Sequence, residues 1–200
     1  MVSRDLAARI AALPGPRTLT AIVGPPASGK STLAADVVDR LPGAALVAMD
    51  GFHLDDRVLA PRGLLPRKGA PETFDVGGLA RTLAAIRAGA DVGGDVVVPV
   101  FDRSREIAIA GAHVVPAAAR HVVVEGNWLL LDEPGWRDLG PWDLTVRLDV
   151  PDATLRARLE DRWAHLDAGA RAAKIDGNDL PNAARVRHGS LTADLVLQTG

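Results

Sequence analysis

Residues 18–41 read TLTAIVGPPASGKSTLAADVVDRL, and inside them Gly24-Pro25-Pro26-Ala27-Ser28-Gly29-Lys30-Ser31 matches G-x-x-x-x-G-K-[ST]. The β-branched apolar run from Thr18 to Val23 predicts a strand, and Leu33, Val37 and Leu41 fall at helical spacing, predicting a helix from Lys30 to Leu41. A glycine-rich loop between strand and helix can turn its backbone N–H groups inward onto phosphate oxygens, and the helix N-terminus adds positive potential. Lys30 then reaches the β and γ phosphates and Ser31 ligates Mg²⁺. With 20 glycines, three lysines and 14 Ser and Thr in 200 residues, chance supplies only about 0.002 such matches. Gly24, Pro25, Pro26, Ala27, Ser28, Gly29, Lys30, Ser31 and Thr32 are therefore the expected site for a nucleoside triphosphate, ATP, with Mg²⁺.

Outward from this loop the pattern alternates. Leu6, Ile10 and Leu13 predict a helix from Ser3 to Leu13, stopped by Pro14-Gly15-Pro16. Further strands are expected at Ala45–Met49, Val96–Phe101, Ile107–Val115, His121–Val124, Leu144–Val150 and Ala193–Leu197. Helices are expected at Asp75–Ala88, at Asp152–His165 and from Pro181. The polar stretches from Asp55 to Pro71 and from Gly169 to Leu180 lack periodicity, and the first is expected to be a long functional loop. Nearly unbroken apolar strands alternating with helices imply a parallel sheet covered on both faces. The fold class expected is α/β, a P-loop NTPase three-layer α/β/α fold with a five-stranded parallel sheet and a small antiparallel addition from residues 92–115. One domain would span residues 1–200, with a lid at about 152–180.

Composition narrows the partners. The formal charge of -2 provides no general positive field for nucleic acid or an anionic membrane, so any anion site must be local. The absence of cysteine removes disulfides, a thiol nucleophile and thiolate metal sites. No apolar run approaches membrane-spanning length, and the N-terminus is too charged for a signal peptide, so a cytoplasmic chain is expected, monomeric or homodimeric. Trp128, Trp136, Trp142 and Trp163 are scattered and read as packing rather than a stack for nucleic acid bases.

Two acids close apolar strands, Asp50 after AALVAM and Glu125 after HVVV, at the strand ends where ligands gather in open α/β sheets. One would order Mg²⁺ and the other take a proton from an attacking hydroxyl; spacing alone does not say which. The strings Met49-Asp50-Gly51-Phe52-His53, Arg67-Lys68-Gly69-Ala70-Pro71-Glu72-Thr73-Phe74-Asp75, Pro99-Val100-Phe101-Asp102-Arg103 and Val124-Glu125-Gly126-Asn127, in that order, resemble the successive motifs of the uridine kinase, phosphoribulokinase and bacterial pantothenate kinase superfamily. Within it the chain looks like members labelled nucleoside/nucleotide kinase family proteins or fructose transport system kinases. The resemblance covers residues 18–198 and implies Asp50 as general base and Glu125 as the acid at the metal. It departs in one string: uridine kinases usually carry Asp-Ser-Phe-Tyr where this chain has Asp50-Gly51-Phe52-His53.

The remaining candidates are assigned around that frame. Arg67 and Lys68 could hold an anionic or polyhydroxyl acceptor; Phe52 and His53 could wall its pocket; Phe101, Asp102 and Arg103 could read its hydroxyls. Arg158 and Arg162, four residues apart on one helical face, would serve as lid arginines over the transferring phosphoryl group. By resemblance the region of Asn182 lies near the adenine. The implied activity is ATP-dependent phosphorylation of a small-molecule hydroxyl acceptor, a nucleoside, sugar or pantothenate-like alcohol. The competing class is an ATPase or GTPase switch acting on a protein partner, which would not require Asp50 with a long acceptor-side loop and for which the chain lacks an Asn-Lys-x-Asp guanine reader.

Overall fold

Strand β1 (Thr18–Val23) lies at the centre of a five-stranded parallel sheet in a computed structural model that describes residues 2–92 and 94–199. Its order is β2 (Ala45–Ala48), β5 (His121–Gly126), β1, β6 (Leu144–Asp149) and β7 (Leu195–Gln198). Every neighbouring pair is parallel. Because side chains alternate along a strand, Leu19, Ala21 and Val23 enter one core while Ile22 enters another. The first core holds Leu79, Leu83 and Ile86 of α4 (Val76–Val92) and Val186 of α7 (Leu180–Gly189). The second holds Leu6 and Ile10 of α1 (Val2–Ala11) with Ala34 and Val37 of α2 (Lys30–Val38). Helices thus cover both faces, as the apolar strands require.

The antiparallel addition is a hairpin of β3 (Val96–Asp102) and β4 (Ile107–Val115). It packs on a 3₁₀ turn at Met49–Phe52 so tightly that a Cβ on Gly51 would lie 2.4 Å from the Pro99 carbonyl oxygen. That close approach explains glycine, rather than serine, after Asp50.

Two expectations are corrected. Residues 55–71 are not an aperiodic loop but α3 (Asp56–Leu59), capped by the Asp55 side chain, followed by 3₁₀ turns at Ala60–Arg62, Leu65–Arg67 and Pro71–Thr73. Each 3₁₀ turn carries proline near its start, which presets φ but cannot propagate an α-helix, so no 3.6-residue period develops. The polar stretch 169–180 is helical: α6 (Ala168–Lys174) is capped by Asp167 and runs through a π-helical turn, Ile175–Asp179, into α7. A π turn breaks the period that sequence reading depends on. Elsewhere α5 (Asp152–Arg162) ends three residues before its expected boundary, and no helix among the described residues is long and apolar enough to cross a membrane.

Candidate active site

The strand order decides where chemistry can gather. Glu125 is level with Ile22 on one side and Ala48 on the other, so the loop after β1, the turn after β2 and the end of β5 open at the same edge. Between β1 and α2, Gly29 takes φ +87°, a conformation open to glycine, and Ala27 is held at φ +61°. The chain therefore wraps at residues 24–31 instead of running straight into the helix.

Ser31 donates its hydroxyl to Glu125 Oε1 at 3.1 Å. Glu125 is 4% exposed, and burial pushes its carboxyl above the usual range; Lys30 opposes the shift and Asp50 adds to it. Desolvation lowers Lys30, against the attraction of Glu125 and Asp50. For Asp50, burial raises the pKa, but His53, Lys30 and Arg103 outweigh it and the carboxyl sits below its ordinary value. His53 is itself driven toward its neutral form by burial. Lys30 and Arg103 are then the cations that keep Asp50 ionised.

One cleft joins these groups to the acceptor-side segments. Lys30, Asp50 and Asn127 line it together with His53, Lys68, Phe101 and Arg103. His53 Nδ1–H donates to the Asp50 carbonyl oxygen at 2.8 Å, and its ring packs 4.1 Å from Phe74 and 4.5 Å from Phe101. Lys68 is held by Asp56 at 2.7 Å and by the Glu106 carbonyl oxygen at 2.6 Å. Lys68 and Arg103 both lie over the Phe101 ring, 5.6 and 5.9 Å from its centroid. Arg103 also ion-pairs with the Asp50 carboxylate.

The other sequence candidates are divided between this cleft and other places. Phe52 is packed in the core and does not line this cleft. Asp102 is spent on the hairpin turn, its Oδ1 accepting the Ser104 amide at 2.9 Å and hydroxyl at 2.7 Å. Arg67 is a strut, bonded to the Gly177 carbonyl oxygen at 3.1 Å and paired with Glu72. Asn182 lines the same cleft as Lys30 and Asp50, donating to Asn178 Oδ1 at 3.3 Å, and does not line a second cleft on the other side of the phosphate loop. That second cleft contains Ala27, Ser28, Gly29, Thr32 and Arg158. Arg158 reaches the Ala27 and Ser28 carbonyl oxygens at 3.4 Å, whereas Arg162 lines the acceptor cleft.

Sequence reading gave no site role to Asn127, Trp163, Lys174 or Asn178, all of which line this cleft, and Asp179, which belongs to the region that the resemblance puts near the adenine, lines it too. Trp163 is not simple packing: its indole N–H donates to Asp179 Oδ2 at 2.7 Å, with Arg162 and Lys174 over its ring. Asp179 does not cap α7 with its side chain; burial raises its pKa against that indole hydrogen bond. Asn127 closes the Val124-Glu125-Gly126-Asn127 string and was legible there. Asn178 and Asp179 lie in the π turn, which has no sequence period.

No protein-family model matches the chain. A crystal structure from Silicibacter sp. TM1040, carrying the provisional name of a fructose transport system kinase, superposes with a TM-score of 0.89 at 46% identity, over 98% of this chain and 99% of that one. Escherichia coli K12 YggC, an uncharacterized protein, is 37% identical over 92% of this chain and 79% of its own. A Schizosaccharomyces pombe protein provisionally named as a uridine kinase is 31% identical over 91% of this chain and 83% of its own. The chain belongs to the family of P-loop kinases that includes the pantothenate kinases and this provisionally named uridine kinase. It is accordingly an ATP-dependent phosphotransferase with a hydroxyl group as acceptor. Pantothenate kinases it matches are longer: the chain spans 49% of the one from Leifsonia xyli.

Proposed function

We propose that this kinase transfers the γ-phosphoryl group of ATP to a hydroxyl of a nucleoside, sugar or pantothenate-like alcohol held between the Asp50 turn and the β3–β4 hairpin. The observation that carries the reading is the convergence, on one cleft, of Lys30 and Asp50 with a polar wall of side chains on the scale of a small molecule. A nucleotide switch acting on a protein would need no such wall.

Roles follow from position. The backbone of Gly24–Ser31 cradles phosphates, and Lys30 lies where charge develops on the transferring group. Ser31 and Glu125 would hold Mg²⁺: a hydroxyl and a buried carboxylate are hard oxygen donors 3.1 Å apart, and Glu125 lacks full charge compensation from the chain itself. When bound, that ion neutralises phosphate charge. Asp50 accepts the proton of the attacking hydroxyl; the acceptor O–H breaks as the O–P bond forms and ADP departs. His53, with Nδ1 committed to the Asp50 carbonyl, presents Nε2 as the ring nitrogen left for an acceptor hydroxyl.

The adenine is assigned to the second cleft, beside Thr32 and Arg158, since it borders the phosphate loop on the side away from Asp50. Residues 152–180 act as the lid, Arg162 closing over the phosphates and excluding water. Purified protein, ATP-Mg²⁺ and a panel of about fifty alcohols, read by ADP release, test the function. Acceptor-dependent ADP release is the expected result; tight ATP binding with release stimulated only by a protein would replace the reading with a switch.

A further inference from the structure

The general base proposed above is engaged. Arg103, reaching from the β3–β4 hairpin, ion-pairs with Asp50, and its own side chain is 55% exposed, so it can swing away without disturbing the core. Asp50, by contrast, is only 18% exposed and fixed by a short turn. A hydroxyl that takes its place at the Asp50 carboxylate must displace one hydrogen-bond donor, and that donor is a guanidinium. A neutral alcohol offers Arg103 nothing of equal strength in return, because charge-assisted hydrogen bonds are roughly twice as strong as neutral ones. An acceptor carrying its own anion does.

The surroundings agree with that exchange. The chain has three lysines, Lys30, Lys68 and Lys174, and all three line this one cleft. Lys68 lies with Arg103 over the Phe101 ring, giving two cations on one aromatic platform. Lys30 faces ATP in the kinase reading, and Lys68 is tied to Asp56 and the Glu106 carbonyl oxygen, so Arg103 is the cation at Asp50 that is exposed enough to change partners, with Lys68 and Lys174 adding positive charge around it.

We propose that the acceptor is an alcohol bearing a carboxylate or a phosphate close to the hydroxyl that is phosphorylated, and that Arg103 transfers from Asp50 to that anion when the acceptor binds. The inference rests on the kinase reading and sharpens it. With no acceptor present, Arg103 keeps Asp50 from taking a proton from water, so attack of water on the γ-phosphorus, which would yield ADP and phosphate, is suppressed.

The experiment uses matched series of three to six carbons, each a polyol, its terminal carboxylate and its terminal phosphate monoester. Binding is measured to the protein carrying Mg²⁺ and a non-hydrolysable ATP analogue, alongside acceptor-independent ATP hydrolysis. In at least one series an anionic member should bind about tenfold or more tighter than its polyol. The carboxylate and phosphate arms identify which anion is read. Arg103→Met should abolish that preference and raise idle hydrolysis, while Arg103→Lys restores part of each. Polyols binding as well as their anions, no anion binding in any series, or Arg103→Met leaving both readouts unchanged overturns the proposal. A failure of the kinase reading itself would show separately, as loss of ATP-Mg²⁺ binding by the wild-type protein.

Discussion

Asp50 and Glu125 end neighbouring strands, yet their surroundings push them in opposite directions. Burial dominates at Glu125 and raises it, while the cations around Asp50 overcome burial and lower it. Such a split fits the two different roles proposed for them. Asp50→Asn should still bind ATP-Mg²⁺ while phosphoryl transfer falls roughly 10²- to 10⁴-fold; Glu125→Gln should weaken the Mg²⁺-dependent part of ATP binding. Titrating ATP with and without Mg²⁺ against both variants decides it, and the opposite pattern exchanges their roles. The two acids also predict opposite stability profiles. A carboxyl raised by folding contributes stability that is present below the ordinary glutamate pKa and lost as pH rises through the raised value. Ligand-free Glu125→Gln should therefore melt no lower than wild type at neutral pH, whereas the depressed pKa of Asp50 contributes stability above the ordinary aspartate range that is lost on acidification. Melting curves against pH check both signs. These two acids were legible in the sequence because each ends an apolar strand; the place of Asp179 in the cleft was not, since it depends on the π turn.

The Asp50 turn and the segment proposed as a lid are where local pattern and tertiary packing part company. Helices and strands with a steady period were found within a few residues, while α3, the proline-led 3₁₀ turns and the π turn were not, having too few residues or the wrong period to register. Gly51 shows how tertiary contact selects a residue that local pattern leaves open: its turn abuts the Pro99 carbonyl of β3. Gly51→Ala should cost about 1–3 kcal/mol by overpacking and should reduce transfer more than ATP binding, because the hairpin and Asp50 shift together. Denaturant melts and steady-state kinetics measure the two effects; an unperturbed variant would mean the hairpin yields freely. Along α5, the spacing of Arg158 and Arg162 placed both near the phosphates, but packing separates their tasks. Arg158 borders the cleft assigned to adenine and Arg162 the acceptor cleft. Arg158→Ala should chiefly raise the KM for ATP and Arg162→Ala chiefly lower kcat. Identical effects of the two would return them to a single role.

Across the molecule, a single strand order accounts for both the core and the site. With β1 flanked by β5 and β6, the apolar strands bury both faces, and the β2, β5 and β1 ends bring Asp50, Glu125 and the phosphate loop together. That much could be read in advance, because apolar runs and strand-end acids are local signals. What ties the layers at the opposite end of the sheet could not. Arg17, one residue before β1, is 4% exposed and donates to the Ala119 carbonyl at 2.9 Å, the Ile86 carbonyl at 2.7 Å and the Pro116 carbonyl at 3.1 Å, with a further bond to Ala117. It thus joins α4 and the β4–β5 connection to the start of the central strand. In sequence it is one more arginine after a Pro-Gly-Pro break, with nothing to separate it from those on the surface. Arg17→Met leaves these carbonyls without their donor in a buried site, so unfolding stability should fall by about 2–4 kcal/mol. β1 spans roughly 20 Å between Arg17 and the phosphate loop at its far end. Below the melting transition, ATP affinity and the kinetics of the folded variant should therefore match wild type. Denaturant unfolding together with ATP titration provides the measurement; a loss of ATP affinity at unchanged stability would show that Arg17 acts on the site rather than on the frame.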